Sequence, residues 1–212
     1  MLETSDTSTA IRFSNVTAGY SKHSSVLIDV TLEFEGPGIT RLVGRNGSGK
    51  STAVELISGY LPAQSGQVIV AGMPAHLPAA RFARNICRTH IALYPHMSVR
   101  DHLILAGRAS GVRFEDALTR AENYGLAPWI SAAAGSLSTG NRRKLWTIIC
   151  TLRRVGIVVL DEPYVGLDAQ GRKVLSGEIL FWSKTALVVV VTHASIAELN
   201  VAREICLDDL HG

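Results

Sequence analysis

Nine consecutive residues, Gly44-Arg45-Asn46-Gly47-Ser48-Gly49-Lys50-Ser51-Thr52, carry the groups needed to grip a phosphate. They fit the pattern G-x-x-x-x-G-K-[ST]. Glycines at 44, 47 and 49 let the backbone turn tightly, so that successive N–H groups point at one anion. Lys50 adds a point charge for β- and γ-phosphates, and the Ser51 hydroxyl suits Mg²⁺. A second reactive group closes an apolar run, where Ile157-Val158-Val159-Leu160 leads into Asp161-Glu162-Pro163. Two acids at the carboxyl end of a parallel strand, beside a phosphate-binding loop, make a magnesium and catalysis site. Asp161 is expected to hold the metal through water, and Glu162 to orient and deprotonate an attacking water. Two weaker signals accompany these. Ser138-Thr139-Gly140 opens a helix in a way that favours anions, or simply caps it, and His193 follows a second apolar run as a reactive or a structural histidine.

The elements around these residues must place them. Thr40 to Val43 reads as a strand, and Thr52 to Ile57 as a helix whose N-terminus faces the phosphates. Ile11 to Val16 is a first strand. Val26 to Phe34 alternates Leu27, Ile28, Val30, Leu32 and Phe34 with polar residues, as a half-buried antiparallel strand does. Gly36-Pro37-Gly38 turns into the phosphate-loop strand, and Gln67 to Gly72 is a further short strand. From about Pro78 to Ser136 the texture is helices and loops, with amphipathic helices over Val99–Ala109 and Phe114–Tyr124. Gly156 to Leu160 and Ala186 to Val191 are continuous β-branched runs, as in parallel strands covered on both faces, with a helix from Gln170 to Trp182 between them.

A length of 212 residues suits one domain, and an apolar share of 47% supplies a sizeable core. A net charge of +3 is too mild to argue for nucleic acid. Cys87, Cys150 and Cys206 are far apart and odd in number, which suggests a reducing compartment and buried small hydrophobes. The Ser/Thr-rich start, residues 1–9, reads as a flexible tail without a signal sequence. The longest apolar run falls far short of the ~18 residues that a membrane span needs. The chain is therefore expected to be soluble alone, and to work at a membrane only through a partner.

Taken in order, these features resemble the ATP-binding subunits of ABC transporters, over nearly the whole chain from about Ala10. Residues 44–52 resemble the family's Walker A motif, Leu137-Ser138-Thr139-Gly140-Asn141 its signature, and Ile157 to Glu162 its Walker B motif with the catalytic glutamate. Val165-Gly166-Leu167-Asp168 is similar to the D-loop, Thr192-His193 to the switch histidine, and Tyr20 to an aromatic that stacks on adenine. The resemblance implies an α/β fold: a P-loop NTPase core with a mixed, mostly parallel sheet, an antiparallel β subdomain, and a helical subdomain inserted at about 78–145. It implies one ATP-binding domain over residues 10–212, with ATP and Mg²⁺ as cofactors. Glu162, His193 and Lys50 would serve catalysis. Tyr20, residues 44–52, Ser138, Gly140 and Asp168 would contact nucleotide, and Ser51 and Asp161 the metal.

It also implies a head-to-tail dimer with a second copy or a homologous subunit, sandwiching two ATP molecules between one chain's P-loop and the other's signature. A separate transmembrane permease would dock beside Leu93-Tyr94-Pro95-His96-Met97 and Val99, holding the chain at the cytoplasmic face of the membrane. The short chain looks export-type. Two departures stand out. Thr139 and Asn141 replace the signature's usual Gly and Gln, and Thr89-His90 stands where the family's Q-loop carries Gln. Arg142-Arg143-Lys144 reads as a solvated helix face, and Trp129, Trp146 and Trp182 as packing residues. The rival readings are a nucleotide-gated or non-transport ABC ATPase, and a small-molecule kinase with Arg81, Arg84 and Arg88 in a lid.

Overall fold

Apolar periodicity sorts the strands into two sheets with different duties. A computed structural model describes residues 9–21, 24–193, 196 and 198–210. The first half runs β1 (Thr9–Ala18), β2 (Leu27–Glu35), β3 (Gly38–Val43), α1 (Lys50–Ile57), β4 (Ser65–Val70), β5 (Met73–Pro74) and β6 (Arg84–Cys87). It is followed by α2 (Val99–Ser110), α3 (Phe114–Asn123), α4 (Thr139–Cys150), β7 (Ile157–Asp161), α5 (Ala169–Trp182), β8 (Leu187–Val191) and β9 (Arg203–Cys206). The antiparallel sheet has the order β2-β1-β4-β5, and the parallel sheet β6-β7-β8-β3-β9. The tail expected over residues 1–9 lies outside the described residues, except Thr9, which opens β1.

Every residue of β7 and β8 is buried, and their alternation explains why both runs are apolar without interruption. Ile157, Val159, Leu187, Val189 and Val191 join the core built with α1 and the antiparallel sheet. Val158, Leu160, Val188 and Val190 join a second core under the helices. Two-sided burial favours β-branched side chains at every position. In β2 the alternation slips. Asp29 takes a left-handed backbone (φ 52) and the pairing register shifts between Val16 and Ala18, so Leu27 and Val30 both point inward while Ile28 is 61% exposed.

Two strands of the parallel sheet escape the apolar pattern. β6 falls inside the stretch that reads as helices and loops, because two of its four residues are Arg84 and Asn85. Both are nonetheless buried. Arg84 Nη2 donates to the carbonyls of Ser58 and Ala75, each at 2.7 Å, and Asn85 Nδ2 donates to the Arg153 carbonyl at 2.6 Å. β9 is an edge strand with exposed Arg203 and Glu204, and Arg41 reaches Glu204 at 3.0 Å.

The helices are tied to the core through one buried cation. Arg120 on α3 donates to both carboxylate oxygens of Glu178 on α5. Its remaining N–H groups reach the Ile148 and Thr151 carbonyls and the Thr151 hydroxyl at 2.7–3.2 Å, closing the end of α4. Tyr124 donates its hydroxyl to Glu178 at 2.7 Å, and burial, with the Glu178 charge, pushes the phenol pKa up, so it stays a donor. Removing one side of such a pair leaves a buried charge uncompensated. Arg120→Ala should therefore cost about 3–5 kcal/mol by urea unfolding, and an apolar pair, Arg120→Met with Glu178→Leu, should recover most of it.

Candidate nucleotide site

The loop between β3 and α1 is shaped by positions that exclude a side chain. A Cβ at Gly44 (φ 152) would lie 2.4 Å from Ser48 Oγ, and one at Gly49 (φ 95) 2.4 Å from Leu27 Cδ2. The positive φ at these positions is one that residues with a Cβ rarely adopt. Lys50 curls over the loop and donates Nζ to the carbonyls of Gly44 and Arg45, both at 2.8 Å. The loop is pinned from outside by Asp208, which accepts the Arg45 N–H at 2.9 Å and which sequence reasoning missed. Asp208 follows β9, a strand that is itself hard to read, so no local pattern pointed to it.

The loop forms one wall of a cleft of about 770 Å³ that also includes Tyr20, Asp161, Glu162 and His193. Asn46, Gly47, Gly49, Lys50, Ser51 and Thr52 line it from the loop side. Tyr20 is 65% exposed, so its ring face is open to a planar ligand. Asp161 is buried at the end of β7, and that burial raises its carboxyl pKa despite a hydrogen bond from Thr89. Ser51 and Asp161 offer a hydroxyl and a carboxylate to a cation. No group of three or more His, Cys, Asp or Glu side chains suited to a metal occurs among the described residues.

Glu162 leaves the strand in a left-handed conformation (φ 46) while its N–H still donates to the Val191 carbonyl at 2.8 Å. A non-glycine residue held there signals a constrained position. Its carboxylate accepts from the His193 N–H and the Thr192 hydroxyl, both at 3.2 Å, and His193 Nε2 lies 3.8 Å away. The acid and the histidine, separated by 31 positions, thus meet.

Ser138, Gly140 and Asp168 do not line this cleft. Ser138 caps α4 by accepting the Asn141 N–H at 3.2 Å. A Cβ on Gly140 would come 2.9 Å from the Gly166 carbonyl, so the signature packs directly on the segment before Asp168. Asp168 caps α5 through Gly171 N–H at 2.7 Å and pairs with Lys144 at 2.6 Å, and the Lys144 hydrogen bond, then that of Gly171, holds its pKa low.

The solvated face expected at Arg142-Arg143-Lys144 is a correction: Arg143 and Lys144 are 4% and 3% exposed. Arg143 forks onto the carbonyls of Arg88 (3.1 Å) and Thr89 (2.8 Å), while Trp146 Nε1 donates to the same Arg88 carbonyl at 3.0 Å. Thr89 Oγ1 donates in turn to the Asp161 carbonyl at 3.2 Å. Trp146 therefore does more than pack. His90 is exposed and lines both the cleft and a second cavity of about 340 Å³ beside Leu93 and Pro95. Tyr94 is 62% exposed, and its N–H donates to buried His102. Of the three arginines offered for a kinase lid, Arg84 is buried and Arg88 is paired with Glu55 at 2.6 Å.

A family model described as ABC transporter matches residues 27–165. Human "Retinal-specific phospholipid-transporting ATPase ABCA4" is 31% identical over 73% of this chain, and human "Glucosylceramide transporter ABCA12" is 27% identical over 94%. The chain spans only 7% and 8% of those relatives' lengths. A solved "ATP binding subunit of ABC transporter" superposes with a TM-score of 0.78 at 26% identity, covering 87% of this chain and 80% of that one. A bacterial Atm1-family exporter with ATP bound shares the fold, with a TM-score of 0.84 over 97% of this chain and 38% of that one, at 17% identity.

Arg143 supplies two of the hydrogen bonds that hold the backbone at 88–89. Arg143→Leu should speed amide exchange across residues 88–91 by roughly tenfold or more, since each bond to a charged donor is worth about 1.5–3 kcal/mol. Hydrogen–deuterium exchange with mass spectrometry reads the change directly.

Proposed function

The chain belongs to the ABC transporter family, and from that premise we propose that it binds MgATP, hydrolyses it to ADP and phosphate, and drives a separate membrane-spanning subunit. The observation that carries this reading is the placement of Glu162, held by the His193 N–H and the Thr192 hydroxyl on the wall of the phosphate-loop cleft. The backbone N–H groups of the loop residues that line the cleft, Asn46, Gly47 and Gly49 to Thr52, hold the phosphates together with Lys50. Lys50 exchanges two loop carbonyls for charged phosphate oxygens, which are stronger acceptors. Ser51 and Asp161 would hold Mg²⁺, a hard cation that suits oxygen donors and would supply positive charge beside the phosphates. That charge would also favour the ionised form of Asp161 that burial disfavours. Tyr20 stacks on adenine. Glu162 orients a water and takes its proton, with His193 beside it.

The positions of Ser138, Gly140 and Asp168 outside the chain's own cleft support the head-to-tail dimer. Each chain lends its signature to the other's nucleotide, with Thr139 adding a methyl where the family usually has none. A membrane subunit docks around Tyr94, Pro95 and Met97, and His90, which borders both cavities, lies between docking and chemistry. The chain sits peripherally at the cytoplasmic face of the membrane. No helix among the described residues is long and apolar enough to cross it. Two relatives are named for transporting phospholipid and glucosylceramide, which supports ATP-driven transport through that subunit.

Glu162→Gln keeps shape but loses the base, so ATP turnover should fall about 10²- to 10⁴-fold while ATP-analogue binding persists. Lys50→Ala should instead weaken analogue binding roughly 10- to 100-fold. Phosphate release and a fluorescent-nucleotide titration measure the two. A wild-type chain that binds ATP without turnover would replace the transport reading with a nucleotide-gated scaffold.

Co-expressed with its membrane subunit, the chain should sediment with membranes. Tyr94→Ala combined with Met97→Asp should release it to the supernatant with nucleotide binding unchanged, because interface cores favour aromatic and Met side chains and exclude charge. Retention of the double variant on membranes would place the dock elsewhere.

A further inference from the structure

At the opposite end of β7 and β8 from Asp161 lies a further cavity, of about 540 Å³. β7 spans five residues, so the two ends of the strand are about 13 Å apart. The walls come from the Leu152–Val155 segment after α4, from one face of α5, and from the Lys184–Ala186 segment before β8. Besides Arg120, three cations border it: Arg153, Arg154 and Lys184. Among the described residues none of them forms an ion pair with a carboxylate. The one acid in the lining, Glu178, is occupied by Arg120 and Tyr124. Positive charge at this cavity is therefore not neutralised from within.

The guanidinium groups are oriented as well as unpaired. Arg153 lies over the Phe82 ring at 5.1 Å and Arg154 over Phe181 at 5.5 Å. Contact with a ring spends no N–H donor on a carboxylate, so donors not otherwise used remain for a phosphate. Arg153 spends one N–H on the Arg81 carbonyl at 3.3 Å, and its Nε is buried with no hydrogen-bond partner. Val158, Val174 and Ala186 supply an apolar wall. Gly177 faces the cavity from mid-helix, and a Cβ built there meets nothing within 4 Å, so space continues down to the backbone of α5.

We propose that this cavity binds an organic phosphate with an apolar body, the phosphate held by Arg153, Arg154 and Lys184 and the body laid against Val158, Val174 and the open face at Gly177. The site is independent of the nucleotide cleft. Its floor is the Arg120–Glu178 pair that joins α3, α4 and α5, so an occupant contacts the junction between the helices and the parallel sheet.

Octyl phosphate is the probe, titrated calorimetrically into the chain already saturated with a non-hydrolysable ATP analogue. One site is expected, with inorganic phosphate alone and octanol alone each binding roughly tenfold weaker or worse. Arg153→Ala with Arg154→Ala should weaken octyl phosphate by about tenfold or more through lost charge. Gly177→Leu should do the same with every cation retained, because it fills the cavity in a residue that prefers helix to glycine. Both variants should bind the ATP analogue as the wild type does, which separates a lost site from a lost fold. No heat with the wild type, undiminished binding in Gly177→Leu, displacement of octyl phosphate by the ATP analogue, or inorganic phosphate binding as tightly as octyl phosphate would each overturn the proposal. Flotation with phosphatidylglycerol but not phosphatidylcholine vesicles, lost in the double arginine variant, identifies the phosphate as a lipid headgroup. Octyl phosphate binding without flotation identifies a free organic phosphate.

Discussion

Two-sided burial of β7 is the constraint on which the rest of the structure depends. Four consecutive residues, Ile157 to Leu160, lie between two cores and must be apolar, and the first position where a carboxylate can stand is the strand's last, Asp161. Asp161 is still largely enclosed, and burial is the main reason its pKa rises. One residue later the chain turns sharply through Glu162, whose N–H nevertheless completes the ladder to Val191. The strain of a left-handed backbone at a glutamate is tolerated because that hydrogen bond and two more to its carboxylate fix the turn. The geometry that points an acid into the cleft is thus a direct result of where burial ends.

Around that strand end, position is transmitted through buried polar side chains. Arg143 on the signature helix holds the carbonyls of Arg88 and Thr89, Thr89 holds the carbonyl of Asp161, and Lys144 holds Asp168. Arg143 and Lys144 are enclosed by protein, where an unmade hydrogen bond costs more than a made one gains, while their partners at Thr89 and Asp168 reach the surface. Movement of α4 therefore shifts the loop at 88–90, and with it the wall of the cleft. The same helix ends at Thr151, where Arg120 ties it to α5. The helical elements have few ways to move without disturbing one of these two anchor points.

Much of the frame was legible in the sequence because apolar pattern and glycine positions carry strong physical signals. The runs at 157–160 and 186–191 read correctly as strands covered on both faces, and 44–52 as a turn that needs glycine. What the sequence hid was polar burial. β6 went unread because Arg84 and Asn85 look like surface residues, and the carbonyls that satisfy them lie as much as 68 positions away. Arg143 and Lys144 looked solvated for the same reason. Asp208 was invisible as a pin for the phosphate loop because its partner is the backbone of Arg45, 163 positions earlier. Ser138, Gly140 and Asp168 stand outside the cleft of the single chain, as do Gly44, Arg45 and Ser48 of the loop; the place of the signature beside a second chain's nucleotide is what the family resemblance implies, and no spacing within one sequence carries it.

The departures from the family pattern at 90 and 139–141 fall where the backbone is held independently of the side chains that changed. Gly140 is kept, and it is the position where a Cβ would strike the Gly166 carbonyl. Thr139 and Asn141 flank it: the Asn141 N–H, not its side chain, meets the Ser138 cap, and the Thr139 methyl lies where a Cβ on Gly166 would be 3.8 Å away. At the other site, the path of the loop is set by Arg143 and Trp146 through the carbonyls of residues 88 and 89, whatever side chain follows at 90. Where main-chain groups define a site, the side chains hung on it are free to change without moving it. The replaced residues therefore alter the chemistry displayed at these two places, a methyl at 139 and an imidazole at 90, while the frame that displays them stays as the glycine and the buried arginine require.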